Sequence, residues 1–472
     1  MPSSIELNIG HVPSPRRRRD ADEGDEVAPF RVVVLGDFSG RGTAGRGPLA
    51  ERRTLRVDID NFESVFAAMA PQVEIAGLRD TSGGALAIEL DTLDDFSADG
   101  VLARLPAHAL ARPPAPAPAA PAPAAEDAAA MMKRLLGGEL PAGAPARAAP
   151  SARGPDAAVD RFIRQLVGGQ VEAAPPPAAA GADDTAAALL RHVLGDPAWR
   201  HLECAWRAVD RFVRDLDMAD GDVRLELLDC RADELLADLG AVGGDPAHAA
   251  ITPVLRGDGR GCDLVVTLEE FGPGLVELSL LGGLAAVATA QGAVLLAGAA
   301  PALAAVAASD DPQVLASDAA RVWRALRESA LAPHLALTFP RLLARLPYGP
   351  RHDPVAAFAF DELAGVPAAG LHDALVWRSA ALDAALLLAQ GHGQGGVETL
   401  VELADLPAFI DRSGDEPRLQ AVAEAYLGER ELDVLQAAGL VVLRSDRRVP
   451  NARVHGWQSI AAGGGALAGS WR

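Results

Sequence analysis

Lysine is almost missing from this chain of 472 residues: Lys133 is the only one, and arginine carries the rest of the basic charge. A Walker-type phosphate loop needs a lysine beside its glycines, so the glycine-rich turn Gly36–Gly42 cannot be one. No GxGxxG opens a helix there either. Aromatic residues make up only 4% of the chain, which leaves Leu, Val and Ala to fill the cores. Cysteine is scarce too: Cys204, Cys230 and Cys262 are widely spaced and form no CxxC. That excludes a disulfide framework and a zinc ribbon. The amino terminus, Ser3–Ile9, lacks the apolar core of a signal peptide. Together these absences predict a cytoplasmic protein. Positive charge is also in deficit, with a net charge of −21, which argues against nucleic acid or an anionic membrane as the main partner.

What is present is ample apolar material, 49% of residues, in a chain long enough for two or three domains. Buried-looking strands alternate with helices, which predicts an α/β protein. From Leu278 to Ser309 no residue is charged, long enough on paper to span a bilayer. Gln291-Gly292 and Pro301 break it, so the segment is parsed as a buried helix (278–290), a strand (293–296) and a second helix from Pro301, with no membrane insertion.

Three stretches follow from composition. Residues 1–105 form a small α/β unit. Its elements are strand Phe30–Leu35, strand Leu55–Ile59, helix Phe62–Met69 capped by Asn61, a hairpin from Val73–Leu78 and Ala85–Leu90, and helical Asp94–Arg104. Residues 106–183 are a Pro/Ala-rich linker with helical islands at 127–137 and 156–168. Residues 184–472 form a larger α/β unit that opens with an amphipathic helix around Trp199–Asp215 and includes a helix at Trp377–Gln390.

Candidate chemistry is sparse. His201 and Cys204 share a helical face at a spacing compatible with a metal, yet no second ligand pair lies nearby in sequence, and no metal or cofactor is expected. No hydrolase or zinc-protease pattern occurs, and the chain is not expected to be an enzyme. The different-class alternative is a nucleotide-binding enzyme built on the Gly36–Gly42 turn. Arg341 and Arg345, four apart, would share a helical face suited to an internal carboxylate network or to a neighbouring acidic subunit. Ile5, Leu7 and Ile9 alternate as an edge or exchanged strand would, pairing elsewhere, in another subunit or in this one. The islands carry apolar clusters, Met131, Met132, Leu135 and Leu136 in one and Phe162, Ile163, Leu166 and Val167 in the other. Helices this short are marginal alone, so each docks either on its own domain or on a partner.

A resemblance gives these fragments a context. Gly36-Asp37-Phe38-Ser39-Gly40-Arg41, with Pro48–Arg53 and Asp60-Asn61-Phe62, resembles the small (TssB/VipA-like) sheath subunit of bacterial type VI secretion systems. Leu202-Glu203-Cys204-Ala205-Trp206-Arg207, Trp323–Ser329, Phe339–Tyr348, Phe358–Glu362, Gly395–Glu398 and Leu435–Leu440 resemble, in order, landmarks of a shortened large (TssC/VipB-like) subunit. The resemblance implies a structural protein that polymerises around an inner tube, joined to itself or to sheath subunits by exchanged strands. It also implies an AAA+ unfoldase that grips a helix near the linker, and baseplate neighbours. A non-polymerising cap or regulator of the sheath is the other role it allows.

Overall fold

The computed structural model describes residues 29–469, apart from 43–44, 81–82, 107–124, 137–181, 217–221, 258, 395–401, 412–417 and 447. Its centre is a nine-stranded sheet in the order β11-β15-β14-β8-β7-β6-β1-β5-β2. Six of these strands run parallel: β5 (Val223–Asp229), β1 (Phe30–Gly36), β6 (Leu264–Phe271), β7 (Val294–Ala299), β8 (Leu335–Phe339) and β14 (Leu440–Ser445). The antiparallel strands lie outside them. β2 (Leu55–Val57) pairs with β5, while β15 (Ala452–His455) and β11 (Glu402–Leu403) close the opposite side.

Parallel strands covered on both faces become continuous apolar runs, and β1 shows why. All seven of its residues are buried. Val32 and Val34 face one core, while Val33 and Leu35 face the other. The first core is built with α1 (Phe62–Met69), the β3–β4 hairpin (Gln72–Arg79 with Ala85–Glu89), α2 (Ala98–Arg104), α4 (Ala182–Gly195), α5 (Pro197–Asp215) and α10 (Ala381–Gln394). The second is built with α3 (Ala125–Leu135), α6 (Ala232–Ala241), α7 (Leu275–Ala290), α8 (Pro301–Ala307), α9 (Asp318–Glu328) and α11 (Glu429–Ala437). Residues 278–288 of α7 are all buried, which accounts for the absence of charge along that stretch. Among the described residues no helix is long and apolar enough to cross a membrane.

The sheet does not respect the expected division at 105 and 184. β1 lies between β5 and β6, and β2 extends the sheet beyond β5, so strands from the first stretch complete the sheet of the second. Three local expectations also change. Asn61 stands at the start of α1 but does not cap it: its side chain accepts from the Asp58 N–H (2.9 Å) and fixes the preceding turn. The segment 377–390 begins as a short strand, β10 (Trp377–Arg378), paired with β9 (Leu342–Leu343), and turns helical only at Ala381. Ser97 splits 94–104 into a 3-10 turn and α2, which it caps through Gly100 N–H (3.0 Å). A small pair, β12 (Ile410–Asp411) with β13 (Arg418–Leu419), sits apart.

The first linker island is α3, and it docks on α7. Met131 and Met132 are fully buried, and Leu135 and Leu136 pack partly buried against the same core. The Ser279 hydroxyl donates to the Ala128 carbonyl (2.8 Å). At Gly244 and Gly282 an added Cβ would lie 3.2 Å from Leu135, so small residues make room for this helix.

Candidate functional site

β1 ends at Gly36, and the chain turns through Asp37, Phe38, Ser39 and Gly40 at the carboxyl end of the sheet. Gly40 adopts φ +62°, and a Cβ there would stand 2.0 Å from the Gln72 carbonyl oxygen, so only glycine fits. The turn is tied to the end of β5. Asp229 accepts hydrogen bonds from the N–H groups of Phe38 (2.8 Å) and Ser39 (3.1 Å). Arg46 bridges Asp37, Asp229 (3.1 Å) and Glu234 (3.5 Å), and Arg52 pairs with Glu234 (2.7 Å). Burial, together with the neighbouring Asp229, raises the Asp37 carboxyl above its ordinary range against the pull of Arg46. The backbone donors that a phosphate would need are aimed at a carboxylate already in place. An incoming anion would meet Asp37 and Asp229, so the turn is not a nucleotide cradle.

An aromatic cluster lies beside this polar seam. Trp206 of α5 donates its indole N–H to the Phe38 carbonyl (2.9 Å) and packs against Phe38, Phe62 and Phe66, with ring centres 4.5–5.8 Å apart. Trp199 packs against Phe96 at 5.3 Å. A chain poor in aromatics places six of them where its early and late segments meet, which concentrates buried area at that seam.

Arg341 and Arg345 do not share a helical face. They flank the two-residue strand β9, in extended chain after the cis Phe339–Pro340 bond, because β9 pairs with β10 instead of coiling. Of the two environments expected for them, the internal carboxylate network is the one found. Arg345 is bidentate to Glu362 (2.7 and 2.9 Å), donates to Glu203 (2.7 Å) and lies over the Tyr348 ring. Arg207 adds a second donor to Glu203 (2.8 Å). Burial pushes the Glu203 carboxyl up, but Arg345 and Arg207 more than offset it, leaving it below the ordinary range. Arg341 pairs with Glu424 (2.9 Å) and reaches Glu270 at 3.4 Å.

A cleft of about 260 Å³ opens beside this network, lined in part by His201, Cys204, Glu269, Glu270, Arg341 and Arg378. Burial pushes Glu270 up to about 7, and like-charged Glu424 and Glu269 add to it against Arg341. Burial also pushes the Cys204 thiol up to about 12, which suits a packed thiol and not a ligating thiolate. Among the described residues no group of three or more His, Cys, Asp or Glu could hold a metal ion.

The other predicted contact residues divide cleanly. Ile5, Leu7 and Ile9, and Leu166 and Val167, lie outside the described residues. Of the two dockings left open for the first island, the one seen is on the chain's own body: Leu135 and Leu136 pack partly buried against the core of α7, where Gly282 and Gly244 make room for Leu135. Sequence reasoning missed Asp229, Arg46, Glu362 and Glu424 as network members. Glu203 did carry a signal, a carboxylate set among Trp199, Leu202 and Trp206 on the apolar face of an amphipathic helix.

Known proteins match the same two stretches. The family described as type VI secretion system VipA matches residues 17–110, and the VipB (EvpB) tail sheath N-terminal domain matches residues 257–461. The chain is similar to the type VI secretion system sheath protein TssC1 of Pseudomonas aeruginosa, 28% identical over 182 residues, covering 35% of this chain and 36% of that protein. It is also similar to the sheath protein TssB1 of the same species, 32% identical over 72 residues, covering 15% of this chain and 42% of that one. The matches thus span less than half the length of either curated relative. The chain is a fusion of a TssB/VipA-type sheath region and a TssC/VipB-type sheath region in one polypeptide.

Proposed function

We propose that this protein is a structural subunit of a type VI secretion contractile sheath, assembling in the cytoplasm around an inner tube and performing no catalysis. The observation that carries this reading is β1: a strand from the VipA-type region runs between β5 and β6 and completes the sheet to which the VipB-type region contributes β6, β7, β8 and β14. A fused pair that folds as one body is a ready-made repeating unit, with the one-to-one ratio fixed by the chain. Its contacts with further copies or with separate sheath subunits are head-to-tail, of the kind that builds open helical filaments, and exchanged strands are their chemistry. The inner tube, the baseplate and an AAA+ unfoldase complete the set of partners. Leu166 and Val167 of the second island are the residues assigned to the unfoldase. Electron microscopy of the purified protein, alone and with the inner-tube protein, tests this. Tubular or ring-like assemblies are expected, and uniformly monodisperse particles in both conditions would replace the subunit reading with that of a non-polymerising cap or regulator.

A further inference from the structure

The order of the strands sets one place in the molecule apart. The chain leaves the carboxyl end of β1 toward β2 and β5, whereas it leaves β6 through α7 toward β7 on the other side. The crevice beyond the carboxyl ends of β1 and β6 is therefore the switch point of the sheet, where open α/β folds bind their ligands. The cleft of about 260 Å³ lies there: Leu268 lines it, and a Cβ added at Gly36, the last residue of β1, would stand 3.1 Å from the Leu268 side chain. Successive strand residues ordinarily face opposite ways. Leu268, Glu269 and Glu270 all line the cleft, because the register of β6 against β7 shifts between Val266 and Glu270 and re-aims them.

Charge in the cleft is unevenly used. Arg341 pairs with Glu424 (2.9 Å), Arg378 with Asp383 (2.8 Å), and Arg200 donates to the Leu194 and Ala374 carbonyls (both 3.0 Å). Among the described residues the Glu269 carboxylate meets only His201, at 3.9 Å, and Glu270 accepts only from Arg341, at 3.4 Å. The cations are thus committed elsewhere, and the two carboxylates are not. Arg345 shows what such a setting holds in this same chain: its guanidinium binds Glu203 and Glu362 and lies 4.2 Å from the Tyr348 ring centre. In the cleft Glu269 and Glu270 supply the carboxylates and Trp377 the aromatic surface, a combination that suits a planar, weakly hydrated guanidinium better than an ammonium. We propose that the cleft binds a small molecule bearing a guanidinium group, with Glu269 and Glu270 accepting its N–H donors. The volume holds a guanidinium on a short aliphatic stem and falls below the ~300–1,000 Å³ of sites for larger ligands such as nucleotides. This goes beyond the sheath role and does not rest on it, since the described residues of one chain form the whole cleft.

Isothermal titration calorimetry on the full chain tests it with agmatine as the probe, at pH 8, above the value of about 7 to which burial pushes the Glu270 carboxyl. Saturable one-to-one binding is expected, at least about tenfold weaker in Glu269→Gln and in Glu270→Gln. Both changes keep the shape of the side chain, and circular dichroism verifies that each variant is folded. Absence of saturable heat at millimolar agmatine, or equal affinity in the parent and both folded variants, overturns the proposal. Putrescine, which carries an ammonium in place of the guanidinium, should bind more weakly, and equal affinity for it overturns the guanidinium assignment. A capped Gly-Arg-Gly peptide should also bind more weakly than agmatine; tighter binding would make the occupant a side chain of a partner polypeptide and overturn the small molecule.

Discussion

Asp229, the last residue of β5, accepts hydrogen bonds from the backbone of Phe38 and Ser39, joining the VipA-type turn to the strand beside it. The same carboxylate receives Arg46, so one residue fixes the loop after β1 and neutralises a guanidinium that has almost no access to water.

Asp229→Ala should therefore destabilise the fold by about 1–3 kcal/mol, because it leaves two backbone donors and part of Arg46 unsatisfied. The matched control is Asp233→Ala, four residues along, whose side chain is largely exposed. It should change stability by less than about 0.5 kcal/mol. Urea unfolding of the three proteins measures both, and equal midpoints for parent and Asp229→Ala would show that the tie contributes nothing.

The Glu203–Arg345–Glu362 network should behave as a unit. Removing one partner from a buried pair strands the other charge, so Arg345→Met is expected to cost about 3–5 kcal/mol. Adding Glu203→Gln to it should cost much less than the sum of the two single changes. A double-mutant cycle in chemical denaturation checks this, and strict additivity would show that the two residues are not coupled.

Stability should fall as the pH rises from about 4.5 to about 7. The Glu270 carboxyl keeps its proton to about 7 when folded, whereas an unfolded glutamate loses it near 4.5. Across that window the folded state binds more protons, and linkage makes folding less favourable as they are withdrawn. Glu424 has the opposite sign. Burial opposes its charge, but Arg341 and His372 hold it down at about 2, so its contribution is present above 4.5 and is lost as the pH falls toward 2. Glu270→Gln should flatten the upper window and stabilise the protein at pH 8 by about 2 kcal/mol. Denaturation midpoints between pH 5 and 8 test the slope.

Cutting the chain between Leu136 and Ala182 should not separate the halves, because β1, Trp206 and the Arg46 bridges hold them together without a covalent link. A protease site inserted in that segment, followed by size exclusion after cleavage, is expected to give one peak containing both fragments.

Leu135→Ser with Leu136→Ser should lower the melting temperature, because both side chains pack against the core of α7. Scanning calorimetry reads this directly. An unchanged transition would free that face for a partner after all.

The sequence alone determined the elements whose period or composition had a single solution. The strand expected at Phe30–Leu35, apolar but for Arg31, is buried on both faces. The charge-free block resolved into helix, strand and helix because Gln291-Gly292 and Pro301 break it in the right places. The α/β class and the two sheath resemblances were likewise readable from local patterns. Tertiary structure alone decided what depends on residues far apart in the chain. Whether Arg341 and Arg345 lay on a helix was settled by pairing of β9 with β10, and their partners Glu424, Glu203 and Glu362 come from other segments. The helix cap expected of Asn61 failed on a smaller scale, since its side chain took the Asp58 N–H in the preceding turn instead of a donor in α1. Most of all, the composition break at residue 106 suggested two bodies, while the hydrogen-bond ladder between β1 and β5 joins segments almost 200 residues apart into one sheet. Local periodicity specifies a strand; only the fold chooses its neighbours.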